Sequence, residues 1–251
     1  MLYLDKDKLQ NEPSLSGQDR AITDWAERYR TLAVSARHPA LKAFYSAGVV
    51  DASTPLSEVP MVAMDFETTG LDPHKGGIVS IGLVPMTINR IHCAQARHWL
   101  LKPRAALSSE SVVVHGITHS EIASAPDLVH ILDELLAQLQ GKVVVVHHRG
   151  IERAFLNAAL KARIREGIEF PVIDTMELEA RLYRRKRIGF WARLCGRKPI
   201  SIRLAQSRER YHLPFYRPHH ALTDAIACGE LLLAQVADRF EPDTPVSELW
   251  K

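Results

Sequence analysis

Residues 62–70 read VAMDFETTG, an apolar run that continues into alternating acidic and apolar positions. Successive side chains of a β-strand point to opposite faces, so this pattern predicts Asp65 and Glu67 on one face and Phe66 on the other. Two carboxylates so close together repel each other unless a cation lies between them. Oxygen ligands of this kind favour Mg²⁺ or Mn²⁺ over zinc, which prefers histidine and cysteine. The stretch therefore predicts a divalent-cation site or, as the simpler alternative, a surface strand with two solvated acids.

Length and composition are typical of an ordinary soluble globular protein. The chain has 251 residues, of which 46% are hydrophobic and 24% charged, and these fractions exclude a disordered or fibrous protein. The N-terminal residues include acids, and no apolar run approaches the roughly 18 residues of a membrane helix, so neither export nor membrane insertion is expected. Three scattered cysteines show no metal-binding spacing and favour a reducing, cytoplasmic location: Cys93, Cys195 and Cys228.

Positive charge is concentrated in one segment. Residues 181–210 contain eleven Lys or Arg and one acid, Glu209, so this segment carries +10 while the whole chain carries +3. The rest of the chain is therefore acidic, at −7. Such a basic segment favours a polyanionic partner, with phosphate as the obvious candidate. A solvated helix face, or a basic surface that meets anionic lipid or an acidic protein, is the alternative.

The order of the predicted elements indicates an α/β fold. Strands are predicted over residues 59–66, 78–88, 91–101, 142–147 and 171–174. The first three are separated by turn signals and form an antiparallel meander. The valine-rich fourth is typical of a strand that is buried on both faces and parallel to its neighbours. Together with the helical segments that follow, this order predicts one mixed five-stranded sheet flanked by helices.

Three regions are expected along the chain. Residues 1–58 are predicted to form an N-terminal helical extension, residues 59–238 the main domain and residues 239–251 a C-terminal tail. Apolar residues at helical spacing predict one helix between about residues 16 and 34 and a shorter one near residues 39–47. We expect these helices to pack on the main domain, and a docking surface for another protein is the alternative.

Two further segments place chemically interesting residues at element boundaries. Glu152 is predicted in the first turn of the helix that follows the valine-rich strand, where functional groups gather in α/β folds. His219 and Asp224, in the sequence HHALTD, are predicted at the start of the last long helix. Each has a simple structural explanation, because the helix dipole favours an acid in the first turn and His219 can be an ordinary helix-boundary residue.

Taken in this order, the motifs resemble those of the DnaQ-like (DEDDh) 3′-to-5′ exonuclease family, whose members include the proofreading subunits of bacterial replicases. The family motif D-x-E-T-T-G is matched by residues 65–70, and its motif H-x-x-x-x-D by His219 and Asp224. Residues 115–117 (HGI) look like the family's H-G-I element, and residues 173–176 (IDTM) look like its second D-T pair. The resemblance covers about residues 59–238 and implies a ribonuclease H-like fold.

The chain departs from the family pattern at the second motif. The family usually reads H-N-x-x-F-D there, whereas residues 147–152 read HHRGIE, so His148 replaces the asparagine and Glu152 the third aspartate. Glutamate keeps the charge and the oxygen ligands but adds a methylene. Because Mg²⁺ demands near-ideal octahedral geometry, this change leaves the preferred cation and the rate open.

The resemblance implies a set of catalytic residues. Two divalent cations, Mg²⁺ or Mn²⁺, would be held by four acids, and His219 would act as the general base; the acids are Asp65, Glu67, Glu152 and Asp224. A general base needs the neutral imidazole, so activity is expected to rise from acid towards mildly alkaline pH.

The resemblance also implies contacts with nucleic acid. The expected substrate-binding residues are Thr68, Thr69, Gly70, Leu71, His115, Arg184 and Arg185. The basic segment, with aromatic residues at 190, 191 and 211, is suited to bind a single strand by charge and stacking.

The expected function is metal-dependent 3′-to-5′ hydrolysis at single-stranded or frayed 3′ ends, on DNA more than RNA, in replication, proofreading or repair. A polymerase or another protein is the candidate partner of residues 1–58. The alternative is a catalytically weak or inactive module that binds 3′ ends or docks to a polymerase.

Overall fold

The computed structural model describes residues 24–104, 117, 119–183 and 200–251. In these ranges the chain forms eight α-helices: α1 (Trp25–Ser35), α2 (Pro39–Ser46), α3 (His119–Ser124), α4 (Leu128–Leu139), α5 (Arg149–Ile164), α6 (Thr175–Tyr183), α7 (Leu204–Arg210) and α8 (Ala221–Arg239). The same ranges contain six strands: β1 (Met61–Thr68), β2 (Ile78–Thr87), β3 (Arg90–Ile91), β4 (Arg97–Leu100), β5 (Val143–Val146) and β6 (Val172–Asp174).

The six strands form one mixed sheet with β1 in the middle. The strand order is β3-β2-β1-β5-β6, and β4 also pairs with β2. β1 runs antiparallel to β2 and parallel to β5, and β5 runs parallel to β6. The mixed sheet flanked by helices confirms the fold class predicted from the sequence.

The predicted number of five strands was wrong, because the expected strand 91–101 is divided into β3 and β4. β3 pairs with β2 at Met86 and Thr87, and β4 pairs with β2 between Ser80 and Leu83. Pro85 lies between these two stretches of β2, and a proline has no amide proton to donate to a neighbouring strand. The chain accordingly leaves the ladder after His92, whose amide donates to the Pro85 carbonyl, and forms a 3₁₀ turn, Cys93–Gln95.

The centre of the sheet is covered on both sides. All four residues of β5 are buried, as predicted for a strand enclosed between helices. α8 crosses one face, where Gly229 lies close enough to the sheet that an added Cβ would be 3.2 Å from the sulfur of Met86 and 3.4 Å from Ala63. This close packing brings the start of α8 to the middle of the sheet.

The first two helices share the core of the sheet. Trp25 and Tyr29 of α1 and Phe44 and Tyr45 of α2 are buried and contact one another through their rings. The Tyr45 hydroxyl accepts a hydrogen bond of 2.9 Å from the amide of Glu169, just before β6. α1 begins at Trp25 with Asp24 as its N-cap, and the predicted start near residue 16 lies outside the described residues.

The C-terminal residues also pack on the sheet. Val246, Leu249 and Trp250 are buried, and Lys251 exchanges backbone hydrogen bonds of 2.9 and 3.2 Å with Val172 of the edge strand β6. The division of the chain at residues 58/59 and 238/239 stays a prediction.

A buried carboxylate connects the helices α6, α7 and α8. Glu179 of α6 is fully buried and accepts hydrogen bonds from Arg210 at the end of α7 and from Gln235 and Arg239 of α8, at 2.5, 2.8 and 3.3 Å. The Tyr211 hydroxyl lies 3.1 Å from the same carboxylate. Charge-assisted hydrogen bonds of this kind fix α8 relative to α6.

None of the helices that the structure describes between residues 24 and 251 is both long and apolar enough to span a membrane.

Candidate active site

Three carboxylates meet at the end of the central strand. Asp65 and Glu67 leave β1 on the same face, as the alternation of the strand predicts, and Asp224 comes from the first turn of α8. One oxygen of each residue lies within 4.8 Å of the others. Asp65 and Asp224 are half-buried and Glu67 is buried, so these acids are not solvated side chains of an open surface strand.

Gly82 explains why α8 can reach this strand. It is paired with Asp65 across the β1–β2 ladder, so both positions share one face of the sheet. A Cβ atom at Gly82 would lie 2.3 Å from the backbone atoms of Ala221 and Leu222, far inside van der Waals contact. The first turn of α8 therefore occupies the space that any other side chain would fill, and Asp224 is brought over β1.

Asp224 also determines the position of His219. Its carboxylate accepts a hydrogen bond of 2.7 Å from the His219 amide, and its own amide donates to the His220 carbonyl. His219 has a left-handed backbone, with φ of 73°, which is unusual for a residue with a side chain. The imidazole is exposed beside the carboxylate cluster.

The rings of two histidines pack against each other at the start of α8. The rings of His98 on β4 and His220 lie with their centroids 4.8 Å apart, and His98 Nε2 is 2.7 Å from the hydroxyl of Ser80. Burial lowers the pKa of His98, and the nearby His220 lowers it further. His98 is paired with Gly82 on β2, so it lies on the same face as the cluster. Sequence reasoning missed His98 and His220, because the register of β2 with β4 and the packing of α8 on Gly82 together bring the two rings into contact.

Glu152 lies close to the cluster but is not part of the group within 4.8 Å. It occupies the first turn of α5, as predicted, and is only 2% exposed. Its Oε2 atom has no hydrogen-bond partner among the described residues. A buried acid with an unsatisfied oxygen is unfavourable unless it is protonated or contacts a cation.

Asp174 fixes the chain just before Glu152. Its buried carboxylate accepts hydrogen bonds from the amides of His148 and Arg149, at 3.1 and 3.0 Å, and from Met176 in the first turn of α6. His148 takes up a left-handed backbone with φ of 111° at this junction. The D-T pair of the sequence is thus a clamp between the ends of β5 and β6, a role that its charge alone does not indicate.

Burial and neighbouring charge raise the pKa of three carboxyls at this site, Asp65, Glu152 and Asp224. Burial raises the pKa of the Asp65 carboxyl well above its usual value, and the charges of Glu152, Glu67 and Asp224 raise it further. Burial likewise raises the pKa of Glu152 and of Asp224. The folded protein therefore resists full ionisation of the cluster, and a bound cation would remove that resistance.

The residues present fit a hard divalent cation. The donors are carboxylate oxygens, Glu152 offers an unsatisfied oxygen, and burial limits competition from water. The cluster can therefore hold a metal ion through Asp65, Glu67 and Asp224.

The turn after β1 is braced by its threonines. The Thr68 hydroxyl donates to the Gly70 carbonyl at 2.7 Å, and Thr69 exchanges hydrogen bonds of 2.9 Å with Gly77 through its amide and its hydroxyl. Leu71 is 56% exposed at the end of this turn. The turn thus presents an apolar side chain to solvent four residues after Glu67, and its contact with a substrate stays a prediction.

The structure does not describe the other predicted substrate contacts. His115, Arg184 and Arg185 lie outside the described residues. Three described arginines of the basic segment are engaged within the chain: Arg181 pairs with Glu177, Arg208 with Glu230 and Arg210 with Glu179. The count of eleven positive charges therefore overstates what this segment offers to a partner.

Known proteins resemble this chain over more than two thirds of its length. The exonuclease family RNase T matches residues 62–232. A DNA polymerase III PolC-type protein of Thermotoga petrophila is 30% identical over 172 residues, which are 68% of this chain and 11% of that protein. A DNA polymerase III subunit epsilon-like protein of Rhodobacter capsulatus is 30% identical over 183 residues, or 72% of this chain and 24% of that protein. The chain thus spans about a tenth to a quarter of the length of these relatives.

The fold is also similar to a solved nuclease structure. The nuclease domain of 3′hExo, a DEDDh family member bound to rAMP, superimposes with a TM-score of 0.59 at 16% identity, over 71% of this chain and 92% of that one. At this identity the likeness shows a shared fold.

Replacement of Gly82 tests the contact between α8 and the sheet. We expect Gly82→Ala to lower the free energy of unfolding by about 1–3 kcal/mol, because the new methyl group overlaps the backbone of Ala221 and Leu222. Denaturant unfolding measures the effect. Gly70→Ala is the matched control, since an added Cβ there meets no atom within 4 Å. Equal stability of the two variants would contradict the packing described.

Replacement of Asp65 tests the repulsion within the cluster. A carboxyl whose pKa is raised by folding stabilises the native state at low pH and loses that contribution as the pH rises through its native pKa. In EDTA at neutral pH we therefore expect Asp65→Asn to raise Tm by about 2–4 °C, the shift that roughly 1 kcal/mol produces in a protein of this size. The gain should shrink towards pH 4.

Asp133→Asn, which removes an exposed acid on α4, is the control and should leave Tm unchanged. A lower Tm for Asp65→Asn in EDTA at neutral pH would show that repulsion is not the dominant force at this site.

Proposed function

This chain belongs to the exonuclease family, and we propose that it removes nucleotides one at a time from the 3′ end of a nucleic-acid strand by hydrolysing phosphodiester bonds. The observation that carries the proposal is the meeting of Asp65, Glu67 and Asp224 beside an exposed His219. Fold alone would not support a reaction, because related folds serve many functions. Crowded carboxylates with a histidine at their edge are what metal-assisted hydrolysis requires.

The proposed cofactors are two divalent cations, Mg²⁺ or Mn²⁺. Asp65, Glu67 and Asp224 would hold them together with Glu152. When bound, such ions lower the pKa of a coordinated water and neutralise the charge that develops on the scissile phosphate. The unsatisfied Oε2 of Glu152 supports its inclusion in this set.

His219 is the proposed general base. Its exposed imidazole, in the neutral form, would accept the proton of the attacking water. The hydrogen bond from its amide to Asp224 would hold the backbone of His219 next to the carboxylates, within reach of the imidazole. Activity should therefore rise from pH 5.5 towards pH 8.5, and ionisation of the carboxylates acts in the same direction.

Glu152 takes the place of the family aspartate. Its side chain is one methylene longer, and its burial in the first turn of α5 limits how far it can move. We therefore propose that Glu152 adjusts the preference between Mg²⁺ and Mn²⁺ and the rate, and that it does not abolish the reaction.

The proposed substrate is a single-stranded or frayed 3′ end. Leu71 would contact the last base as an apolar wedge, and the turn formed by Thr68, Thr69 and Gly70 would approach the terminal nucleotide. His115, Arg184 and Arg185 are proposed to contact the strand as well. DNA is proposed ahead of RNA because the two curated relatives are DNA polymerase III proteins by name.

A polymerase is the proposed protein partner. The buried faces of α1 and α2 already pack within the chain, so an interaction through residues 1–58 would use other parts of that region. Deletion of residues 1–23 keeps these buried faces and is the variant with which to test binding to a polymerase.

Degradation of end-labelled oligonucleotides tests the proposed reaction. With a 5′ label and Mg²⁺ or Mn²⁺, we expect a ladder of products that shortens stepwise from the 3′ end and is absent with EDTA or in Asp65→Ala. His219→Asn should reduce kcat by about 10²–10⁴-fold, the usual contribution of a general base. His130→Asn, an exposed histidine on α4, is the control and should keep wild-type activity.

The same assay distinguishes the proposed reaction from the alternative functions. Immediate release of the labelled 5′ nucleotide would show the opposite polarity. Binding of oligonucleotides without cleavage in either metal would favour a binding module. If Glu152→Asp raised the rate with Mg²⁺ more than with Mn²⁺, the longer side chain would be responsible for the cation preference.

A further inference from the structure

The connection between α7 and α8 presents one aromatic ring to solvent. Phe215 is 82% exposed, and among the described residues it is the only aromatic member of the set of exposed large apolar side chains. The surrounding segment, residues 212–220, reads HLPFYRPHH and has no acidic residue. Arg217, two positions further on, is exposed as well. The ring is therefore accessible to a ligand.

Both neighbours of Phe215 are fixed to one ion pair. The guanidinium of the buried Arg208 donates to the Pro214 carbonyl at 2.9 Å and to the Glu230 carboxylate at 2.7 Å. The Tyr216 hydroxyl donates to the same Glu230 at 2.9 Å. The Arg208 guanidinium also lies 4.7 Å from the centroid of the Tyr216 ring, a cation–π contact. With the Pro214 carbonyl and the Tyr216 side chain bound to this ion pair, the ring of Phe215 between them is left exposed to solvent.

The other end of the segment is fixed at the carboxylate cluster. His219 is four residues after Phe215 and its amide is bound to Asp224. Four residues span at most about 14 Å when fully extended. Phe215 is therefore held near the proposed catalytic site, on a segment whose two ends are anchored to α8 through Glu230 and Asp224.

We propose that Phe215 is a stacking platform for an unpaired base of the bound strand, upstream of the nucleotide that is released. This inference rests on the proposed function. Aromatic side chains bind any base through its face, and neighbouring cations bind the phosphates, so exposed Phe215 beside Arg217 has the elements of a single-strand contact. Phe215 is the one exposed large apolar side chain of residues 212–220, all of which the structure describes. A single ring is too small for a stable protein interface, which favours a base over a protein partner.

Truncation of the ring tests the stacking. We expect Phe215→Ala to raise KM by roughly 5- to 150-fold, the effect of removing one stacked base. Introduced into the Asp65→Asn variant, the same substitution should raise the Kd for a single-stranded oligonucleotide by the same factor. The kcat value should change by less than about twofold, because the ring does not touch the reacting atoms. Phe215→Trp should keep wild-type KM and Kd, since indole offers a comparable face.

Val34→Ala is the matched control. Val34 is 87% exposed on α1. Just after this helix, the backbone amide of Arg37 donates to Glu166, which precedes β6. This part of the chain is therefore at the opposite end of the sheet from the carboxylates. This variant should have wild-type KM. Equal Tm values for wild type, Phe215→Ala and Val34→Ala will show that the folded state is unchanged.

Oligonucleotides with one abasic site, moved stepwise away from the 3′ end, locate the stacked base. At one position the abasic site should weaken wild-type binding by the same factor as Phe215→Ala and should have no further effect on that variant. If Phe215→Ala keeps wild-type KM and Kd on every oligonucleotide while wild type cleaves them, the stacking proposal is wrong and the proposed function stands. If wild type cleaves nothing, the proposed function fails, and Kd still decides whether Phe215 contacts the strand.

Discussion

Repulsion among carboxylates at the end of β1 is the constraint on which the rest of the structure depends. Asp65, Glu67 and Asp224 place oxygens within 4.8 Å of one another, and burial together with mutual charge raises the pKa of Asp65 and Asp224. Left alone, such groups would move apart or protonate. They remain together because each is attached to a part of the fold that cannot easily move: the central strand of the sheet and the first turn of a helix packed on it.

The helix that carries Asp224 is fixed at several points along its length. Its first turn lies against Gly82, Glu230 pairs with the buried Arg208, and the residues Gln235 and Arg239 near its end bind Glu179. Two of the arginines that bind these acids, Arg208 and Arg210, belong to the basic segment of the sequence. Part of the charge that indicates a polyanionic partner therefore serves to hold the site in shape. Seven of the eleven positive residues lie in residues 184–199, outside the described part of the chain.

Much of this arrangement could be predicted from local patterns. Alternation places Asp65 and Glu67 on one face, the valine run indicates the buried parallel strand β5, and the motif order predicts the exonuclease family that the comparisons confirm. Contacts that depend on register could not be predicted, because a sequence does not state which residues of two strands are opposite. Gly82 looks like an ordinary strand glycine until its pairing with Asp65 and His98 is known. The division of the third strand depends on Pro85 in the neighbouring one, and the pairing of Arg208 with Glu230 joins residues 22 positions apart.

Direct measurement of cation binding tests the central claim, that the acids of β1 and α8 form one metal site. Mn²⁺ can be titrated into EDTA-treated protein at pH 7.5 while the free ion is followed by electron paramagnetic resonance, for wild type, Asp65→Asn, Asp224→Asn and the control Asp133→Asn. We predict saturable binding in wild type and the control, and binding at least about tenfold weaker in both other variants, because each removes a ligand and a charge. Wild-type affinity in Asp224→Asn would contradict the account, since the ion would then be held without the helix that the fold brings to the strand.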